Sequence, residues 1–406
     1  MFNKINVYSE IGELKKVLVH TPGQEIDYLT PQRLDELLFS AILDPIRARE
    51  EHKEFIKILE NEGVEVVQLS DLSAQAYDAS SAEVKDAFIE KWLDESLPVL
   101  NPSNRKIVKE YILKIQKTDG TVAMIRKMMA GILAREIGVE SEVELVVDPM
   151  PNLYFTRDPF ASVGNGVTIH RMYRPTRRRE TIFSELIFNH HPEYKGTPVY
   201  YERNFDAHIE GGDVFLYNEK TLVVGVSERT DHDAIQKLAE NIKNNKEVTF
   251  ETIYAINVPK MSNLMHLDTW LTMLDTDKFL YSTNMLDVLQ IWKIDLKKEK
   301  IEWVEINEPL ADFLSSIIGK PATLIPVAGH GATQIEIDVE TNFDATNYLV
   351  IRPGVVVGYD RNRKTNEALT KAGIKVYSWN GDQLSLGMGS ARCMSMPLYR
   401  ETVSKK

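Results

Sequence analysis

A single cysteine among 406 residues stands at position 393, inside "GMGSARCMSMP" near the C-terminus. Gly387, Gly389, Ser390 and Ala391 lie just before it, and residues this small let a backbone come close to a ligand. A thiol so placed is either a small core residue or a nucleophile, and the second role needs partners elsewhere in the chain. Three other short stretches can supply them. "NLYFTRDPF" holds Asp158 between an arginine and a proline, "HIEGGDVF" holds Glu210 and Asp213 around two glycines, and "NLMHLDTW" holds His266 and Asp268. If the last stretch is extended, His266 and Asp268 share one face while Met265 and Leu267 point to the other, because strand side chains alternate.

Cysteine with histidine serves acyl transfer and thiol chemistry in general. The acids discriminate. A cysteine protease develops negative charge on a carbonyl oxygen, which several carboxylates in one pocket would oppose. Those carboxylates suit an electrophilic carbon that already carries positive charge. A guanidinium or amidinium is such a group: planar, cationic and rich in N–H donors that pair bidentately with carboxylates. A metal site is not expected. His, Asp and Glu are all metal ligands, yet no second histidine lies two to four residues from His266, and His190–His191 before Pro192 read as a surface turn. No cofactor is expected either: the chain has no GxxxxGK[ST] loop, and "GMGS" lacks the following helix and downstream acid of a dinucleotide site.

These residues need a scaffold, and two textures alternate along the chain. Short apolar runs bounded by Gly or Pro read as strands: "KKVLVHTPG" (15–23), "VEVVQLS" (64–70), "GVTIH" (166–170), "TLVVGV" (221–226), "GVVVGY" (354–359) and "IKVYSW" (374–379). Residues 73–148 read as helical. Val84, Phe88, Ile89, Trp92 and Leu93 fall on one helical face, as do Ile107, Val108, Tyr111, Ile112 and Ile115 after an N-cap at Ser103; "TVAMIRKMMAGILAREIG" predicts a third helix. The segments 223–239 and 356–372 each run strand, glycine, arginine-bearing polar turn, helix, a weak internal repeat that points to a pseudo-symmetric α/β fold.

The totals set the outer bounds. The length suggests two or three domain-sized units, and 43% hydrophobic with 27% charged residues suffices for a large core. A net charge of −12 argues against a nucleic-acid partner and permits a cationic substrate. One cysteine excludes an intrachain disulfide and fits a reducing compartment. "MFNKINVYSEIGELKKVLVH" has no apolar block of signal-peptide length, and no run approaches the roughly 20 apolar residues of a membrane span, so a soluble cytoplasmic protein with no membrane partner is expected.

The ordered set "FTRDPF", "HIEGGDVF", "MHLDT" and "GMGSARCMSMP", with "PTRRRET" (175–181), "GVSERT" (225–230) and "PGVVVGYDRN" (353–362), resembles the arginine deiminase family of the guanidine-modifying, or pentein, superfamily. The resemblance runs nearly end to end and includes a helical insertion. It implies a five-bladed, pseudo-symmetric α/β propeller of ββαβ units, with a catalytic domain over 1–72 and 149–406 and a helical insertion over 73–148. It implies a hydrolase acting on the C–N bonds of linear amidines, converting L-arginine to L-citrulline and ammonia through an amidino-thioether on the cysteine, without metal or cofactor, in a homo-oligomer. Carried over residue by residue, Cys393 matches the nucleophile and His266 the general acid and base. Glu210 matches the acid that contacts substrate nitrogen and histidine, and Asp158 and Asp268 match the guanidinium clamps. Arg177 and Arg229 match residues that hold the substrate carboxylate, with Arg178 and Arg179 as neighbours of the first; Asn152, Phe155 and Gly387 match pocket-lining positions. Met388 departs from members that carry arginine in this loop. The alternatives are agmatine or methylarginine hydrolysis, amidino transfer, a metal-dependent hydrolase and a non-catalytic pentein-type binding protein; Arg177 and Arg229 favour a substrate with a carboxylate.

Overall fold

The structure, a computed structural model, describes residues 4–96, 100–245 and 247–403. Runs rich in Val, Ile and Leu form short strands, as β-branched side chains fit a pleated surface buried on both faces. Thr221–Val226 and Val355–Tyr359 are buried along their whole length. Among the described residues, five sheets repeat one connectivity, in which an antiparallel pair is followed by a helix and a strand parallel to the second member. The first sheet orders Met396–Arg400, Leu14–Val19 and Glu65–Gln68, with Pro45–Asn61 as the helix before the last strand. The second orders Phe160–Val163, Gly166–Ile169 and Val199–Tyr201, with helix Thr181–His190. The third orders Val214–Asn218, Thr221–Val226 and Thr252–Asn257 around helix His232–Asn244, extended by Ile291–Asp295 and Trp303–Ile306. The fourth orders Leu271–Met273, Lys278–Tyr281 and Thr323–Pro326 with helix Leu310–Ile318. The fifth orders Leu349–Arg352, Val355–Tyr359 and Lys375–Trp379 with helix Arg363–Lys371. The repeat read at 223–239 and 356–372 belongs to the third and fifth of these units.

The first sheet joins the two ends of the chain. Leu18 is in register with Met396, three residues beyond Cys393, so the segment carrying the thiol is anchored on a strand near the N-terminus.

Between the first and second sheets run the helices Leu69–Asp78, Ala82–Glu95, Arg105–Asp119, Thr121–Ala130 and Ala134–Ile137. Phe88, Ile89, Trp92 and Leu93 are buried as their spacing requires. They share one hydrophobic cluster with Phe160, Val167 and Phe183 of the second unit, and the Phe88 and Phe183 rings meet edge-on at 6.1 Å. Two local expectations differ from the structure. Ser103 does not cap the third of these helices: its N–H and hydroxyl donate to Asn101 Oδ1 in the preceding 3₁₀ turn. The helix from Thr121 does not run on to Gly138. It stops at Gly131, whose φ of 81° and close approach to the Val147 carbonyl leave no room for a side chain, and Ile132–Leu133 then pairs with Leu145–Val147.

Candidate active site

Each candidate chemical group stands in the turn just ahead of the first strand of a repeated unit. Cys393 is buried in a tight turn held by Met394 N–H to Ser390 O at 3.0 Å and Ser395 N–H to Arg392 O at 3.2 Å. Its Sγ accepts from Asn347 Nδ2 at 3.1 Å and lies 3.5 Å from Asp268 Oδ2. Arg392 reaches the other way. It donates to the same Asp268 Oδ2 at 2.9 Å, pairs with Glu10 at 3.3 Å and stacks on Phe215 at 3.7 Å, so the residue beside the nucleophile anchors the turn into the core.

His266 and Asp268 reach the site by a route other than a continuous strand. Leu267–Thr269 is a 3₁₀ turn, closed by Thr269 N–H to His266 O at 3.1 Å and Trp270 N–H to Leu267 O at 2.9 Å; the strand begins only at Leu271. Asp213 sets this turn. Its Oδ1 takes the Leu267 N–H at 2.8 Å, while its Oδ2 accepts from Ser227 Oγ at 2.7 Å and Thr230 Oγ1 at 2.6 Å. His266 Nε2 then meets Glu210 Oε2 at 2.8 Å, and its Nδ1 lies 3.8 Å from Asp158 Oδ1. The glycine pair of "EGGD" is dictated by packing: a methyl on Gly212 would run into the His266 ring, and one on Gly211 into the Arg157 carbonyl.

Cys393, His266, Asp158, Arg177, Asn152, Phe155 and Gly387 line one cavity, closed further by Leu38, Met265, Thr269 and Met388. It leaves about 10 Å³ for the centre of a water molecule, room for about one water. Glu210, Asp268 and Arg229 stand behind this wall, joined to it through His266 and Cys393. Arg177 is fully engaged: it donates to Asp158 Oδ2 at 2.8 Å, to Glu180 at 3.1 Å and to the Asn152 carbonyl at 3.5 Å. Arg178 and Arg179 turn to the carbonyls of Met172 and Asp148, which leaves Arg177 as the arginine of "PTRRRET" at the cavity. Arg229 is different. It is buried, 3.7 Å from Glu210 and over the Tyr173 ring, and none of its three guanidinium nitrogens has a hydrogen-bond partner among the described residues. Asp158 Oδ1 and Asp268 Oδ1 are likewise buried without one.

Phe155 packs on Tyr154 at 4.1 Å, and Gly387 and Gly389 pass so close to these rings that neither position could carry a side chain. Asn152 Nδ2 donates to Leu37 O at 2.7 Å, tying the pocket to the segment of Leu38. Leu38 and Met388 both adopt left-handed φ, 62° and 63°, an unfavourable conformation for side chains of this kind.

The electrostatics separate the two reactive groups. Burial pushes the Cys393 thiol well above its ordinary range, and Asp268, Asp158 and Asp344 add to the effect against Arg392. Burial would depress His266, but Asp158, the Glu210 hydrogen bond and Asp213 outweigh it and raise the imidazole to about 9. Glu210 is lowered: burial opposes ionisation, and Arg229 and the His266 hydrogen bond overcome it. Burial raises Asp213 to about 6 and Asp344 to about 7. At neutral pH the site therefore holds a thiol beside an imidazolium.

Asp158, Glu210 and His266 could each turn one ligand atom toward a common ion, as these atoms lie within 4.8 Å of one another. Their charges are already matched by a bound proton on His266 and by Arg177 and Arg229, with which a cation would compete. Sequence reasoning missed Asn347, since an asparagine in "FDATNYL" carries no ionisable or nucleophilic group to single it out. It quoted Asp213 without assigning it a task.

A family model described as arginine deiminase matches residues 35–400. An arginine deiminase of Metamycoplasma hominis is 60% identical over 404 residues, covering 99% of this chain and 98% of the relative. One of Treponema denticola is 41% identical over 413 residues, at 98% and 99% coverage. Among solved structures, the fold is similar to SxtG, an amidinotransferase of Microseira wollei (TM-score 0.57, 16% identity, 99% of both chains). It is also similar to the dimethylarginine hydrolase DDAH of Pseudomonas aeruginosa in a complex with citrulline (TM-score 0.53, 15% identity, 95% and 99% coverage). These likenesses place the scaffold among pentein folds. Matched over most of its length by the family model, and over nearly all of it by relatives this similar, the chain belongs to the arginine deiminase family.

Proposed function

We propose that this chain hydrolyses L-arginine to L-citrulline and ammonia through a covalent adduct on Cys393. One observation carries the reading. A thiol and an imidazolium share one cavity, and the buried charges around them that lack protein partners are two carboxylate oxygens, Asp158 Oδ1 and Asp268 Oδ1, and one guanidinium, Arg229. Acid at one end and base at the other complement a ligand that carries a guanidinium and a carboxylate. Agmatine, which lacks the carboxylate, would leave Arg229 unpaired.

The chemistry follows from the charges. The guanidinium of arginine, clamped by Asp158 and Asp268, brings a positive charge beside Sγ and reverses the field that keeps Cys393 protonated. The thiol proton leaves, and Sγ attacks the guanidinium carbon to give a tetrahedral adduct. The His266 imidazolium donates its proton to the departing nitrogen and ammonia is released. An amidino-thioether that retains the substrate side chain remains on Cys393. Neutral His266 then takes a proton from water, the hydroxide adds to the same carbon, and collapse expels the thiolate and frees citrulline. Admission of arginine requires the 384–389 turn and Leu38 to move from the cavity mouth; their return excludes bulk water.

The finer readings belong to the same proposal. The five repeated sheets support blades closing around one axis, with 1–72 and 149–406 as the catalytic domain and 73–148 as an insertion. Exposed Ile335, Val339, Leu286 and Val288 support self-association, which light scattering on the purified protein would measure. No described helix is long and apolar enough to cross a membrane, consistent with action in the cytoplasm. Incubation with arginine should yield citrulline and ammonia in equal amounts, with agmatine inert; turnover of agmatine at a comparable rate would overturn the assignment of substrate.

A further inference from the structure

Asn347 is fully buried in the turn ahead of Leu349–Arg352. Its side-chain amide makes three contacts to the nucleophile segment. Nδ2 donates to Cys393 Sγ at 3.1 Å, and Oδ1 accepts from the N–H of Cys393 at 3.0 Å and of Ser390 at 3.2 Å. Its carbonyl accepts from Arg392 N–H at 3.3 Å. The adjacent Thr346 donates to the Asp268 carbonyl at 2.9 Å, so a single turn ties the cysteine segment to the His266–Asp268 turn.

The repeated connectivity is a second, independent observation. Asp158 precedes Phe160–Val163, Glu210 precedes Val214–Asn218, His266 and Asp268 precede Leu271–Met273, and Cys393 precedes Met396–Arg400. Asn347 takes the equivalent place in the remaining unit, where it is the one member of the set that cannot ionise.

Sγ thus lies between a donor and an acceptor. As a thiol it can donate toward Asp268 Oδ2 and accept from Asn347. As a thiolate, its contact with Asp268 becomes repulsive, while the bond from Asn347 becomes charge-assisted and stronger. We propose that Asn347 is a catalytic residue of this site: its amide N–H stabilises the Cys393 thiolate when it attacks and again when it is expelled, and its carbonyl oxygen fixes the direction of the sulfur through the Cys393 N–H. The inference rests on Cys393 as the nucleophile.

Asn347→Asp tests it, because an aspartate keeps an oxygen for the two backbone N–H groups and replaces the donor facing sulfur with an acceptor. The rate of Cys393 alkylation by iodoacetamide is followed against pH with methylguanidinium present at a non-denaturing concentration. The midpoint should rise by about one pH unit or more, since one unit corresponds to a tenfold change in ionisation. Steady-state kinetics with arginine should show kcat reduced at least ~10-fold and KM changed less than ~3-fold, the signature of a contact made to the reacting atom after binding. Asn347→Ala, which adds no charge, should shift the midpoint the same way by less, and it carries the test if the aspartate variant does not fold. A wild-type alkylation profile in a folded variant, or a change confined to KM, overturns the assignment. The alkylation assay needs no turnover, so a wild type that makes no citrulline sinks the deiminase reading, whereas unchanged alkylation beside an active wild type sinks the role of Asn347 alone.

Discussion

Replacing Asp268 with asparagine should move two observables in opposite directions. Asp268 Oδ2 lies 3.5 Å from Cys393 Sγ, and after burial its charge is the largest cause of the raised thiol pKa. At that separation and an effective dielectric constant of ~20, the repulsion between two unit charges is about 5 kcal/mol, over three pK units. Arg392, 2.9 Å from the same oxygen, cancels a large part of it, which leaves an expected fall of about one to two units in the thiol pKa of the free protein. The fold should survive, because the amide oxygen still accepts from Arg392 and Glu10 still pairs with it. Alkylation of Cys393 by a neutral reagent at a fixed pH near 8 should therefore be faster in the variant. Yet kcat/KM for arginine should fall by ~10²-fold or more, because the bound guanidinium loses a charged partner in a buried site, a loss of several kcal/mol at roughly tenfold per 1.4 kcal/mol. A purely structural role would slow both reactions. Slower alkylation together with near-normal turnover would refute the electrostatic reasoning.

Arg229→Ala should raise KM for arginine by ~10²-fold or more and leave agmatine, inert with the wild type, unaffected, since only the carboxylate contact is removed; equal effects on binding of both guanidines would place Arg229 elsewhere. Gly212→Ala puts a methyl into the His266 ring, so kcat should drop at least ~10²-fold while far-UV circular dichroism is retained; normal kcat would mean that the histidine position is not critical. His266 is raised to about 9 in the folded protein from an ordinary 6.5, so its ion pairs contribute stability that is complete below about pH 6.5 and lost as pH rises through about 9. The Tm advantage of wild type over His266→Asn should therefore shrink across that interval; an advantage that grows with pH would contradict the sign.

The chemistry-bearing residues were legible because they are rare types in ordered motifs: one cysteine, a His-x-Asp and a glycine pair flanked by acids. Strands such as Thr221–Val226 were legible because an apolar run between turn residues has few other readings. What could not be read was set by residues far away in the chain. The backbone after His266 turns because Asp213, 54 residues before Leu267, captures the Leu267 N–H. Arg177 was read as free to meet a carboxylate, but it is committed to Asp158 and Glu180, leaving Arg229 as the unpaired cation. Gly131 sits inside a helix-forming composition and ends the helix because the Val147–Pro149 backbone passes against it. Asn347 acts on a sulfur 46 residues away through an uncharged amide, a signal that composition and spacing do not carry.

The central claim is that Cys393 attacks the guanidinium carbon and that ammonia leaves before water enters. Acid quenching during turnover of arginine labelled on its guanidino nitrogens, followed by digestion and mass spectrometry, tests it directly. The account predicts an adduct on the peptide containing Cys393 with the mass of arginine less one labelled ammonia, absent from Cys393→Ser, which should also make no citrulline. An adduct of the amidino group alone would indicate amidino transfer, and citrulline formed by the serine variant would contradict covalent catalysis by Cys393.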